Sequence, residues 1–94
     1  MNEKILKHYI ANIAAEIRRL RKQSKLTQVE FAKRAGVGLR FFRELEGGKT
    51  TVRADKLMRV LHFLGYHLDI KKNDPTIEQK IRDGLDEHSF NDHA

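Results

Sequence analysis

Apolar residues recur at helical intervals through most of this chain, with glycines and short polar runs marking the breaks. Ile13, Ile17 and Leu20 stand at i, i+4 and i+7, while Arg18, Arg19, Arg21 and Lys22 largely cover the other faces. The spacing predicts a helix over 11–24. Ile5, Leu6, Tyr9 and Ile10 either extend that helix or form a separate arm, and the pattern leaves both open. Ser24-Lys25-Leu26-Thr27 interrupts the period. Thr27 suits an N-cap, and Glu30 three residues later completes a capping box. A short helix from Gln28 to Arg34 then buries Phe31, Ala32 and Ala35, with Gly36 as its C-terminal glycine. A third helix from Leu39 to Glu46 turns Phe42 and Leu45 inward and stops at Gly47-Gly48. A fourth covers 53–64 on a Leu57, Val60, Leu61, Leu64 stripe, with Thr51 as candidate cap and Gly65 as stop.

After Gly65 the period changes to two. Tyr66, Leu68 and Ile70 alternate with His67, Asp69 and Lys71, the pattern of a short half-buried strand. A lone strand in a helical domain has unpaired edges, so this segment is expected to pair with its symmetry copy and join a two-fold homodimer. Asp74-Pro75 is a helix start. Ile77, Ile81 and Leu85 follow as the stripe of a terminal amphipathic helix. The expected organisation is an N-terminal extension over 1–10, a folded body over 11–72 and an acidic C-terminal segment over 73–94.

Composition adds two things. The 94 residues fit one domain with a small core, and the absence of Cys excludes disulfides and thiolate zinc sites. No apolar run approaches the ~20 residues of a membrane span, and Met1-Asn2-Glu3-Lys4 leads into no signal-like apolar block, so a cytoplasmic location is expected. Charge is unevenly spread. Residues 1–72 hold 17 Lys/Arg against 7 Asp/Glu, a net of +10, whereas residues 73–94 hold 2 against 6, a net of −4. A basic body with an acidic tail suits a polyanion partner for the body; the plainer alternative is a solvated surface of uneven charge.

The stretch from Thr27 to Lys49 is the informative one. Two short helices meet at a tight Gly36 turn, small Ala32 and Ala35 permit close approach, and Val37 plugs the turn. This is the pattern of a helix-turn-helix, in which the second helix enters the DNA major groove. LTQVEFAKRAGV followed by RELEGGK resembles the XRE-type, lambda-repressor-like helix-turn-helix family over residues 13–64. The resemblance implies an all-α bundle, here with a short C-terminal dimerisation strand and a terminal amphipathic helix. GVGLRFFRELEGGKTTVRADKLMRVLHFLG, with a following strand, is further similar to the HipB-like antitoxins found with HipA-type kinase toxins.

The resemblance and the physics together assign roles. Gln28 and the first N–H groups of its helix would hold a phosphate; the alternative is a surface glutamine. Leu39, Arg40, Arg43 and Glu44 lie on the outer face of the third helix, away from Phe42 and Leu45. Arg40 is the favoured base reader, since Arg most often reads guanine O6 and N7. Arg43 meets base or phosphate, and Leu39 suits a thymine methyl. Phe41 either packs on sugar or thymine or completes the core. Gly38 stands where the family usually has Ser or Thr; glycine still serves as an N-cap but loses a side-chain phosphate contact. Lys49 and Arg53 flank the following loop within reach of phosphates, and Arg21 and Glu46 occupy the positions of a helix-bridging ion pair in the family. Beyond the body, Leu85 and Phe90 are candidates for contact with a protein partner.

Catalysis finds no support. His62 and His67 straddle Gly65, His88 and His93 sit in a polar tail, and no ligand spacing emerges. Gly36-x-Gly38 lacks a third glycine and a preceding strand, and Ser24 and Ser89 have no triad. The expectation is a non-enzymatic, cofactor-free, homodimeric repressor on a palindromic duplex operator, the antitoxin and autorepressor of a HipA/HipB-like operon with a HipA-like kinase toxin as partner. The alternatives are a solitary or phage-derived regulator, or an interaction module that does not bind DNA.

Overall fold

A computed structural model describes residues 1–76, 79, 80, 82 and 83. Four helices are bounded among the described residues: α1 (Glu3–Gln23), α2 (Gln28–Ala35), α3 (Leu39–Glu46) and α4 (Ala54–Phe63). α1 begins at Glu3, which resolves the status of the first ten residues. The Asn2 side chain accepts a hydrogen bond from the Ile5 N–H at 2.8 Å and caps the helix. Ile5, Tyr9, Ile13 and Ile17 then continue one stripe at four-residue spacing, so nothing in the pattern ends the helix at residue 10.

α2 is bounded as its residues require. The Thr27 hydroxyl accepts from the Glu30 N–H at 3.1 Å, and the Glu30 carboxylate accepts from the Thr27 N–H at 3.0 Å. At the other end Gly36 adopts φ +78°. The Val37 N–H reaches the Ala32 carbonyl and the Gly36 N–H the Lys33 carbonyl, a Schellman turn that aims the chain into α3. α4 differs from expectation at its start. Arg53, not Thr51, is the N-cap residue, and it makes no side-chain cap bond.

The core is small and continuous. Ile17 from α1, Phe31 and Ala32 from α2, Phe42 and Leu45 from α3, and Leu57 and Val60 from α4 are all buried in one cluster. Phe31 stacks on Phe42 at 4.6 Å between centroids and meets Phe63 edge-on at 5.1 Å. Such aromatic pairs add about 0.5–1.5 kcal/mol each beyond area burial. They lock α2 against α3 and α4 at the centre of the helix-turn-helix. Leu39 and Phe41 also pack partly against this cluster.

From Tyr66 to Ile70 the single chain has no regular secondary structure. A ladder needs a second strand, and none exists among the described residues for this segment to pair with. Its apolar side chains are exposed, Ile70 almost fully at 97%. Residues 75, 76, 79, 80, 82 and 83 are helical, and the Asp74 carboxylate accepts from the Thr76 N–H at 2.8 Å, as an N-cap should. Ile77, Ile81, Leu85 and Phe90 lie outside the described residues.

Candidate nucleic-acid interface

α3 divides its residues between two environments. Phe42, Leu45 and Glu46 are buried; Arg40 and Arg43 are exposed; Leu39, Phe41 and Glu44 are half-buried. Positions 40, 43 and 44 share one face at three- and four-residue spacing. The structure therefore brings Arg40, Arg43 and Glu44 together on an outward surface and draws Leu39 partly into the core.

A buried carboxylate fixes that surface in space. The Glu46 side chain is 3% exposed, and Arg21 from α1 grips it with two bonds, Nε to Oε2 at 2.7 Å and Nη2 to Oε1 at 3.1 Å. Gln28, at the first position of α2, donates its amide to Glu46 Oε1 at 2.9 Å. Arg21 Nη1 also reaches the Leu26 carbonyl at 2.9 Å, and Arg18 Nη1 the Glu46 carbonyl at 3.3 Å. One carboxylate thus ties α1 and the start of α2 to the end of α3. Charge-assisted bonds of this kind are short and about twice as strong as neutral ones. The Gln28 side-chain amide is thus engaged by Glu46. That role escaped the sequence reading because Gln28 and Glu46 are 18 residues apart.

A shallow depression lies beside α3. Gly38, Arg40, Phe41, Glu44, Lys49 and Arg53 line it, and α4 adds Lys56. Gly38 caps α3 without a side-chain bond, so the first N–H groups of α3 have no side-chain acceptor there. Lys49 Nζ pairs with Glu44 at 2.8 Å, and Arg53 pairs with Asp55 at 2.7 Å. The hydrogen bond from Lys49 holds the Glu44 carboxyl below the usual carboxylate range, with the charges of Lys49 and Arg40 adding to it. Lys56 places its ammonium 5.5 Å from the centre of the Phe41 ring. Phe41 is therefore a half-buried platform between the core and a cation. Lys56 was missed from sequence because the face of α4 that follows Arg53 depends on how α4 packs.

Elsewhere the candidates disperse. Tyr66, Leu68 and Ile70 stand exposed beyond α4, and Leu85 and Phe90 lie outside the described residues. Among the described residues there is no group of three or more His, Asp or Glu able to hold a metal ion, and no helix long and apolar enough to cross a membrane.

Comparison with known proteins converges on the same segment. A family profile described as a helix-turn-helix domain matches residues 12–69. An uncharacterized HTH-type transcriptional regulator, y4mF, of Sinorhizobium fredii is 48% identical over 60 residues, covering 64% of this chain and 79% of the relative.

Proposed function

The chain belongs to the XRE-like helix-turn-helix family of DNA-binding transcription regulators, and from that premise we propose that it is a sequence-specific repressor acting as a homodimer on a palindromic operator. The observation that carries this reading is the anchored outer face of α3. Arg40 and Arg43 project from a helix whose inner face is buried and whose end is held by the Arg21–Glu46 pair. In the groove Arg40 reads guanine and Glu44 accepts from a cytosine amino group. Arg43 meets base or phosphate, and the exposed part of Leu39 approaches a thymine methyl. Lys49, Arg53, Gln28 and the α3 N-terminus at Gly38, which has no side-chain cap, hold phosphates and set the register.

The proposed dimer joins through Tyr66, Leu68 and Ile70, so that two copies of α3 meet half-sites about one DNA turn apart. The proposed setting is a HipA/HipB-like operon, in which this chain is antitoxin and autorepressor. The support is the similarity of residues 36–65 to HipB-like sequences and the net −4 of residues 73–94. DNA repels such a segment, whereas a basic patch on a kinase toxin attracts it, with Leu85 and Phe90 as apolar anchors.

Binding-site selection followed by titration at several salt concentrations tests the DNA reading. Affinity should fall steeply with salt, and Arg40→Ala should lose about 1–3 kcal/mol and relax preference at one base pair per half-site. Salt-insensitive binding, or unchanged base preference in Arg40→Ala, would sink it. Calorimetry against the product of the neighbouring reading frame tests the antitoxin assignment, and equal affinity after deletion of residues 84–94 would remove the tail from it.

A further inference from the structure

The cation expected to hold a phosphate just after the recognition helix is already occupied. Lys49 Nζ lies 2.8 Å from Glu44, a residue of the base-reading face itself. The local backbone brings the two residues together. Gly48 takes φ +82°, and the Lys49 N–H donates back to the Glu44 carbonyl at 3.1 Å, which folds the loop over the last turn of α3. Both side chains remain partly open, at 47% and 36% exposure for Lys49 and Glu44, so each is accessible to a ligand as well as to the other.

We propose that the Glu44–Lys49 ion pair is an internal competitor for DNA that makes binding selective. The proposal rests on the DNA-binding reading above. Lys49 has three N–H donors and can touch a phosphate while still bound to Glu44, but its single charge is then shared, so full neutralisation of a phosphate requires it to leave Glu44. The carboxylate is then stranded in a negatively charged, partly dehydrated interface, where an uncompensated charge is unfavourable. A cytosine amino group restores a donor to it; adenine, guanine or thymine edges facing Glu44 do so less well or not at all. Cognate DNA therefore replaces the broken pair; guanine and thymine edges, which offer only acceptors, do not, and adenine does so less well because its amino group sits beside the N7 acceptor. Selectivity arises from weakening the wrong complexes as much as from strengthening the right one. Arg40, whose charge also bears on Glu44, cannot substitute fully for Lys49 while it is engaged on a guanine.

The test is a double-mutant cycle read by fluorescence anisotropy on a mixed-sequence duplex of about three helical turns. Glu44→Gln should tighten mixed-sequence binding roughly two- to fivefold at low salt. The same substitution should gain less in a Lys49→Gln background, where there is no pair to open. Site selection with Glu44→Gln should lose a cytosine preference that the wild type shows, and the ratio of operator to mixed-sequence affinity should fall. Equal or larger gain in the Lys49→Gln background would mean the pair stays closed on DNA and would overturn the proposal. An unchanged base preference would do the same. Wild-type protein that bound no duplex at all would instead refute the DNA reading on which the proposal stands. Both side chains are partly exposed, and thermal melts of each variant should match wild type closely enough to exclude fold as the variable.

Discussion

Replacing Arg21 by Met probes the junction that holds α3 in place. Met preserves most of the apolar stem but removes the guanidinium, and with it two bonds to Glu46 and one to the Leu26 carbonyl. Glu46 is then left 3% exposed with Gln28 as its remaining side-chain donor. Breaking a buried pair from one side typically destabilises by about 3–5 kcal/mol, because the surviving charge is neither solvated nor paired. A chain of this length is stable by roughly 5–14 kcal/mol in all. Arg21→Met should therefore remove from about a fifth to all of the folding free energy. At about 4–8 °C per kcal/mol, the melting point should fall by roughly 12–40 °C. Urea unfolding followed by far-ultraviolet circular dichroism measures this directly, with the slope m expected to stay constant and the midpoint to drop. The double variant Arg21→Met/Glu46→Leu should recover most of the loss, since an apolar pair of similar volume replaces the stranded charge. A single variant within 1 kcal/mol of wild type, or a double variant no better than the single, would refute the reasoning.

Three further outcomes follow from local geometry. Gly36→Ala should destabilise by about 1–2 kcal/mol through its φ of +78° rather than through crowding, since an added Cβ would meet only Arg59 Nη1 at 3.8 Å; a melt equal to wild type would contradict this. The Glu30 carboxyl is held below its usual range by the Thr27 backbone N–H and hydroxyl, so its contribution is complete above the ordinary carboxylate pKa and disappears as pH falls through the lowered folded value. Stability measured from pH 7 to 3 should accordingly decline less in Glu30→Gln than in wild type, and parallel curves would exclude the effect. Ile70→Asp should shift the protein toward monomer in sedimentation at micromolar concentration, because it places a charge on a 97% exposed apolar side chain of the proposed dimer face; an unchanged sedimentation profile would remove that face from the interface.

Local signals explain why so much of this fold is legible in the sequence. The Thr27/Glu30 box and the Gly36 turn involve partners within five residues, so composition and spacing suffice to place them. The Phe42 and Leu45 side of α3 follows from helical periodicity alone. Thr51 misled because Arg53 can begin α4 with no side-chain cap at all. Three features needed the tertiary structure. Gln28 meets Glu46 across 18 residues, Lys56 joins the α3 depression through the packing of α4, and Lys49 reaches Glu44 only once Gly48 reverses the loop. The alternating Tyr66–Ile70 segment suggests a strand, but no regular secondary structure forms there among the described residues, because a period-two pattern does not by itself supply the second strand that a ladder needs.

The divided allegiance of α3 also bears on how such a protein changes over generations. Substitutions at exposed positions such as Arg40 and Arg43 lie away from the core and typically alter stability by no more than about 0.5 kcal/mol. Those at Phe42, Leu45 or Glu46 strike the packed interior or a carboxylate held by two other helices. With Arg40 and Arg43 as the proposed base contacts, a lineage carrying this scaffold can therefore drift among target sequences by a few surface exchanges without passing through unfolded intermediates. Arg21, Gln28 and Glu46, by contrast, can be replaced only in concert. Within a single two-turn helix, what the protein reads is free to wander while what holds it up is not.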